Sequence, residues 1–125
     1  MSERDFNADL TRAAQAVNEL IAALDWDRFH TPSRLSRSIM LEAAELEQEF
    51  VWLSEDEADA LLRDRQRRDR LVGELADITI NLLALAAEID VDLNAAVEAK
   101  SVELRERYEV KGTRTGRARH EVRSE

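Results

Sequence analysis

Apolar residues recur at intervals of three and four along most of the chain. Leu10, Ala13, Ala14, Val17, Leu20, Ile21 and Leu24 share one helical face and predict a first helix over residues 5 to 24. The period breaks at Asp25-Trp26-Asp27-Arg28-Phe29-His30-Thr31-Pro32, where three ring side chains stand beside the only proline, and this stretch reads as a structured loop. A second stripe of Leu35, Ile39, Leu46, Phe50 and Leu53 predicts a helix from near Ser33, a cap or first-turn residue, to about Leu53. Ser54, followed three residues later by Glu57, matches a capping box and opens a short helix through Ala58, Leu61 and Leu62. The charged run from Arg63 to Arg70 reads as a solvated linker or helix face. Leu71, Leu75, Ile78, Leu82, Leu85 and Ile89 then alternate by four and three, the seam of an antiparallel bundle, and predict a long third helix. Asp90 and Asp92 suit a turn and an N-cap, after which Leu93, Val97, Leu104 and Tyr108 share one face of a fourth helix.

Composition fits this pattern. Three Gly, one Pro and 44% hydrophobic residues leave little for hairpin turns and much for helices. The expected fold is all-α: an antiparallel four-helix bundle with a short extra helix between helices two and three, in one domain over residues 1–111. Beyond Gly112 the chain carries Arg114, Arg117, Arg119 and Arg123 with almost nothing apolar, so residues 112–125 are expected to be a disordered basic tail. The net charge of -9 argues against a nucleic-acid polymer as partner, because such binding requires a basic surface. With no cysteine, no apolar run of membrane-spanning length and a polar start at Ser2, Glu3, Arg4 and Asp5, the expected location is the cytoplasm and no membrane partner is expected.

The chemistry lies in a repeated acidic pattern. Glu42, Glu45 and Glu49 stand at i, i+3 and i+7 on helix two; Glu74, Asp77 and Asn81 repeat that spacing on helix three. At about 100° per residue, the second and third members lie near −60° and −20° of the first, with the apolar stripes at about +20° to +100°. The acids therefore border the seam, and antiparallel packing makes them face one another. Two carboxylates about 5 Å apart repel by roughly 3 kcal/mol at an effective dielectric of about 20, so the set calls for a cation or protons. Oxygen ligands without His or Cys suit Mg²⁺ or Mn²⁺, shared with substrate phosphates. The lack of any Glu-x-x-His pair argues against a ferritin-like di-iron site.

With Glu42-Ala43-Ala44-Glu45 on one helix and Glu74-Leu75-Ala76-Asp77 on a later one, the chain resembles the MazG-like superfamily of all-α nucleoside triphosphate pyrophosphohydrolases. Within it the match is closer to the dCTP pyrophosphatase branch: Asp25-Trp26, Phe29-His30-Thr31-Pro32, Glu45-Leu46, Phe50-Val51-Trp52, Gly73 through Asp77, Val91-Asp92-Leu93, Lys100 and Arg107-Tyr108 fall in order. The resemblance implies that Glu42, Glu45, Glu74 and Asp77 hold Mg²⁺, that Trp26, His30 and Trp52 line a base and sugar pocket, and that Lys100, Arg107 and Tyr108 approach the phosphates. Asn81 is a further candidate for substrate contact. The residues themselves agree in part, since Lys100 falls within the apolar stripe of helix four. The chain departs from the branch at Ser33-Arg34, where Lys or Arg followed by Asn is usual, at Leu104 in place of Asn, and at Glu109 in place of Pro. Lost amide side chains bear on base preference rather than on the metal chemistry.

The reaction this implies is hydrolysis of a nucleoside triphosphate, dCTP or a related nucleotide, to the monophosphate and pyrophosphate. Water attacks the α-phosphorus, and Glu45 or Glu49 accepts its proton. Apolar surface left on helices one and four predicts a homodimer or homotetramer. The rival readings are a helical interaction module that kept the fold without catalysis, consistent with Arg34 and Leu104, and a pyrophosphohydrolase of broader or modified-nucleotide specificity.

Overall fold

In the computed structural model, which describes residues 10–109, every regular element is helical. The elements are α1 (Leu10–Leu24), a 3-10 turn (Trp26–Arg28), α2 (Pro32–Gln48), α3 (Glu55–Arg63), α4 (Arg65–Glu88) and α5 (Leu93–Glu109). Residues 5–9, assigned to the first helix by periodicity, and the arginine-rich segment 112–125 lie outside the described residues. Two compact units divide between Val91 and Asp92.

Local signals fix the helix ends. Thr31 caps α2, its Oγ1 accepting from the Arg34 N–H at 3.3 Å, and Pro32 occupies the first helical position, where its missing N–H costs nothing. Ser33 is therefore a first-turn residue. The capping box is present: Ser54 Oγ accepts from the Glu57 N–H at 3.2 Å, and Glu57 Oε1 accepts from the Ser54 N–H at 3.1 Å. Asp64 Oδ1 caps α4 through the Arg67 N–H, and Asp92 Oδ1 accepts from the Ala95 N–H at the start of α5. Asp90 takes a left-handed backbone, φ 57°, at the turn between α4 and α5.

Two boundaries differ from the periodic pattern. Helix α2 stops at Gln48 rather than near Leu53, and the chain continues in turns whose N–H groups reach back to Leu46, Glu47 and Phe50. The half-buried side chains of Phe50 and Leu53 extend the apolar stripe without extending the helix. Helix α4 starts at Arg65, so the charged run forms its first turns as a helix face.

In the unit ending at Val91, α4 packs against α1, α2 and α3, most extensively against α2. Glu42 shares one hollow with Asp77 and Asn81, while Glu49, further along α2, shares another with Arg67, earlier in α4; the two helices therefore run antiparallel. The buried residues are all apolar: Val17 and Ile21 of α1, Leu35 of α2, Leu61 of α3, and Leu71, Leu83, Ala84 and Ala86 of α4. The α4 seam matches the expected one only in part. Leu71 is buried and Ile78 and Leu85 are half-buried as the spacing implies, but Leu75, Leu82 and Ile89 are exposed and Leu83, Ala84 and Ala86 are buried, because several helices pack against α4 and its interior sector is wider than a two-helix stripe. No helix among the described residues is long and apolar enough to cross a membrane.

In the second unit, α5 carries Leu93, Leu104 and Tyr108 half-buried and Val97 exposed. Its charged residues pair along its own surface, which is ordinary for helical spacings of three and four.

Candidate metal centre

Glu42 and Glu45 stand one turn apart on α2 and meet Glu74 of α4, with one carboxylate oxygen from each within 4.8 Å of the others. Antiparallel packing creates this group, because each helix carries its acids at the border of its apolar face. Glu42 and Glu74 are half-buried and Glu45 is exposed. The Oε2 atoms of Glu42 and Glu74 are sealed from solvent and have no hydrogen-bond partner. An acceptor atom cut off from water and left unpaired forfeits its hydration, the more so when charged, so these oxygens favour a positively charged ligand.

Their protonation reflects the same strain. Desolvation raises the Glu42 carboxyl above the ordinary glutamate value, and the charges of Glu45 and Asp77 push it further. Glu74 is raised in the same way, by desolvation first and then by Glu45 and Glu42. An all-oxygen set with two buried, unpaired atoms fits a hard divalent cation of the Mg²⁺ or Mn²⁺ kind.

Asp77, one turn after Glu74, is exposed and stands outside the group of three, although its charge reaches Glu42 and Glu74. Asn81 follows one turn later. Its Nδ2 donates to the Asp77 carbonyl at 2.9 Å, and the residue borders the adjoining space.

Two hollows open on either side of the carboxylates. The first, about 390 Å³, is lined by Trp26, Phe29, His30, Glu42, Asp77 and Asn81. Its ring wall is set by the loop before α2. Asp25 adopts the left-handed region at φ 52°, the 3-10 turn follows, and the His30 N–H bonds back to the Trp26 and Asp27 carbonyls. Trp26 and His30 lie 5.8 Å apart between ring centroids at 55°, and the Arg28 guanidinium sits 5.2 Å from the Phe29 ring centre.

The second hollow, about 530 Å³, is bounded by Glu45, Glu49, Trp52, Arg67 and Glu74. Trp52 is 90% exposed, so the three residues expected to form one base pocket are divided: Trp26 and His30 on one side, Trp52 on the other. Glu49 is half-buried here, one turn beyond Glu45.

On α5, Lys100 Nζ lies 3.1 Å from Glu103 Oε1, and the Arg107 guanidinium reaches the same oxygen at 2.8 Å. Tyr108 is half-buried on that helix. Sequence reasoning missed Arg67. Its signal was its spacing: it precedes Glu74 by two helical turns and so shares that residue's face.

Known proteins resemble this chain in sequence and in fold. The model of the MazG-like family matches residues 37–118. Over 92 residues the chain is 39% identical to dCTP pyrophosphatase 1 of Rattus norvegicus, covering 74% of this chain and 54% of that protein. Against dCTP pyrophosphatase 1 of Homo sapiens it is 38% identical over 90 residues, covering 72% and 53%. The chain thus spans about half the length of the curated relatives it matches. The crystal structure of a pyrophosphatase from Archaeoglobus fulgidus superposes with a TM-score of 0.72 at 30% identity, covering 79% of this chain and 91% of that one.

Proposed function

The chain belongs to the MazG-like family, and we propose that it is a Mg²⁺-dependent pyrophosphohydrolase that converts a nucleoside triphosphate, dCTP or a close relative, to the monophosphate and pyrophosphate. The observation that carries this reading is the pair of solvent-sealed, unpartnered oxygens on Glu42 and Glu74, gathered with Glu45 between two hollows. The relatives named dCTP pyrophosphatase 1 supply the substrate class.

Glu42, Glu45 and Glu74 would hold the ion, with Asp77, one turn after Glu74, as the fourth candidate ligand. When bound, Mg²⁺ neutralises phosphate oxygens and the charge that develops on them. Glu49, close to the carboxylates but outside the group of three, takes the proton of the attacking water. The water oxygen bonds to the α-phosphorus as the bond from that phosphorus to the bridging oxygen breaks, and pyrophosphate leaves. Trp26 and His30 receive the base, with Asn81 presenting its amide to the nucleotide, while Trp52 closes the opposite side. Family resemblance makes Lys100, Arg107 and Tyr108 further candidates for phosphate contact. The exposed Met40, Leu41, Leu75 and Leu82 support a homodimer or homotetramer. The domain runs over residues 1–111, followed by the basic tail, in a cytoplasmic enzyme.

The test is pyrophosphate release from a panel of ribo- and deoxyribonucleoside triphosphates, with and without Mg²⁺, for the wild type beside Glu45→Gln, Glu49→Gln and Asp77→Asn. Mg²⁺-dependent turnover that falls in the variants supports the reading and ranks the bases. No release from any nucleotide would favour the interaction module instead.

A further inference from the structure

One arginine of the run Arg63 to Arg70 is turned inward. Arg63, Arg65, Arg68 and Arg70 are exposed, whereas Arg67 is half-buried. It stands in the first turn of α4, its backbone held by Asp64, and is the only Lys or Arg lining either hollow. Glu45, Glu49 and Glu74 share its hollow, yet its guanidinium is not within 4.0 Å of any carboxylate among the described residues. Its charge helps to hold the Glu57 carboxyl low, while Glu45 and Glu74 of its own hollow gather with Glu42 rather than with it.

A half-buried guanidinium loses hydration and needs a partner to recover it. Its planar fork matches phosphate oxygens, which it binds in pairs. Carboxylates suited to a cation and a guanidinium lining the same hollow form complementary surfaces for a polyphosphate, since each meets a different set of its oxygens. The hollow with rings and no Lys or Arg suits the base; the larger hollow with Arg67 suits the phosphates. Resting on the reading above, the geometry points to Arg67 as the contact for the β- and γ-phosphates, the part that leaves as pyrophosphate. By meeting the charge that gathers on that group as the α–β bond breaks, Arg67 assists its departure.

The test is calorimetric binding of inorganic pyrophosphate with Mg²⁺, and of Mg²⁺ alone, to the full chain at fixed ionic strength. The variants are Arg67→Gln, Arg67→Lys and the exposed control Arg68→Gln. Losing a charge-assisted, paired contact should weaken pyrophosphate binding by about 10- to 100-fold in Arg67→Gln. Arg67→Lys, which keeps the charge without the fork, should weaken it several-fold, while Arg68→Gln matches the wild type and Mg²⁺ binding does not fall in any variant. Wild-type affinity in Arg67→Gln, or an equal loss in Arg68→Gln, overturns the assignment. If the glutamine variant melts below the assay temperature, the lysine variant decides: several-fold weakening supports the contact and unchanged affinity overturns it. A wild type that binds pyrophosphate through Arg67 but hydrolyses no nucleotide sinks the hydrolytic reading alone. A wild type that hydrolyses nucleotides while Arg67→Gln equals it in binding sinks the phosphate contact alone. A wild type that neither binds pyrophosphate nor hydrolyses nucleotides overturns both.

Discussion

Glu42 of α2 and Glu74 of α4 approach each other across the antiparallel helix pair, each with one carboxylate oxygen sealed from solvent and bonded to nothing. Carboxylates brought together in this way repel, and a bound cation would relieve that repulsion. Glu42→Gln and Glu74→Gln should therefore melt higher than the wild type without divalent cation and lose most of the stabilisation that Mg²⁺ gives it. Turnover should fall by at least about 100-fold, since even outer partners of metal ligands are worth about 10- to 100-fold. Thermal melts with and without Mg²⁺, beside the pyrophosphate assay, check both parts.

The pH dependence follows from the same pair. Both carboxyls are raised, so the folded chain binds protons that the unfolded chain has released. Their contribution to stability is full below the ordinary glutamate value of about 4.3 and is lost as pH rises through the raised native values. Glu57, held low by the Ser54 backbone and hydroxyl, acts in the opposite sense. The difference in melting temperature between wild type and the two Gln variants isolates the pair. Without divalent cation it should widen in the variants' favour as pH rises, and Mg²⁺ should reverse it.

Ser54→Ala removes one half of the capping box at α3, whose Leu61 is the most deeply buried side chain of the core. A lost N-cap costs about 1 kcal/mol, within a range of about 0.5–2. Chemical denaturation should show this loss with the slope against denaturant unchanged and Mg²⁺ binding intact.

Gly73 lies inside α4, and a Cβ added there would meet nothing within 4 Å. Gly73→Ala should stabilise the chain by about 0.4–1 kcal/mol by restricting the unfolded state. A higher melting point with reduced turnover would mark this bare stretch of backbone as a place that substrate or a second subunit approaches.

Trp26→Ala should raise KM more than it lowers kcat, because the ring stands at the base side of the carboxylates. Stacking on an aromatic side chain is worth about 1–3 kcal/mol per base, so a rise of about tenfold or more is expected in steady-state kinetics.

Much of this was legible in the residues. The helices, the capping box and the facing Glu-x-x-Glu and Glu-x-x-Asp pairs follow from spacing alone, because period and caps are local properties. The α4 interior did not follow: whether Leu75 or Ala84 is buried depends on how many helices pack against α4, which no local pattern encodes. Arg67 was hidden in a run of similar charges, where only its distance from Glu74 distinguished it. Trp52 was grouped with Trp26 by family resemblance, but the turns after Gln48 carry it to the far side of the carboxylates.

The carboxylate group also acts as a gauge of helix register. One helical turn is about 5.4 Å, more than the 4.8 Å that spans the three acids, so a slip of α4 along α2 by one turn would dissolve the site while leaving an apolar stripe to pack. Without its cation the chain gains little from choosing the correct alignment at this point; with it, one alignment is singled out. A cation held by the three acids would then favour the correct helix pairing during folding.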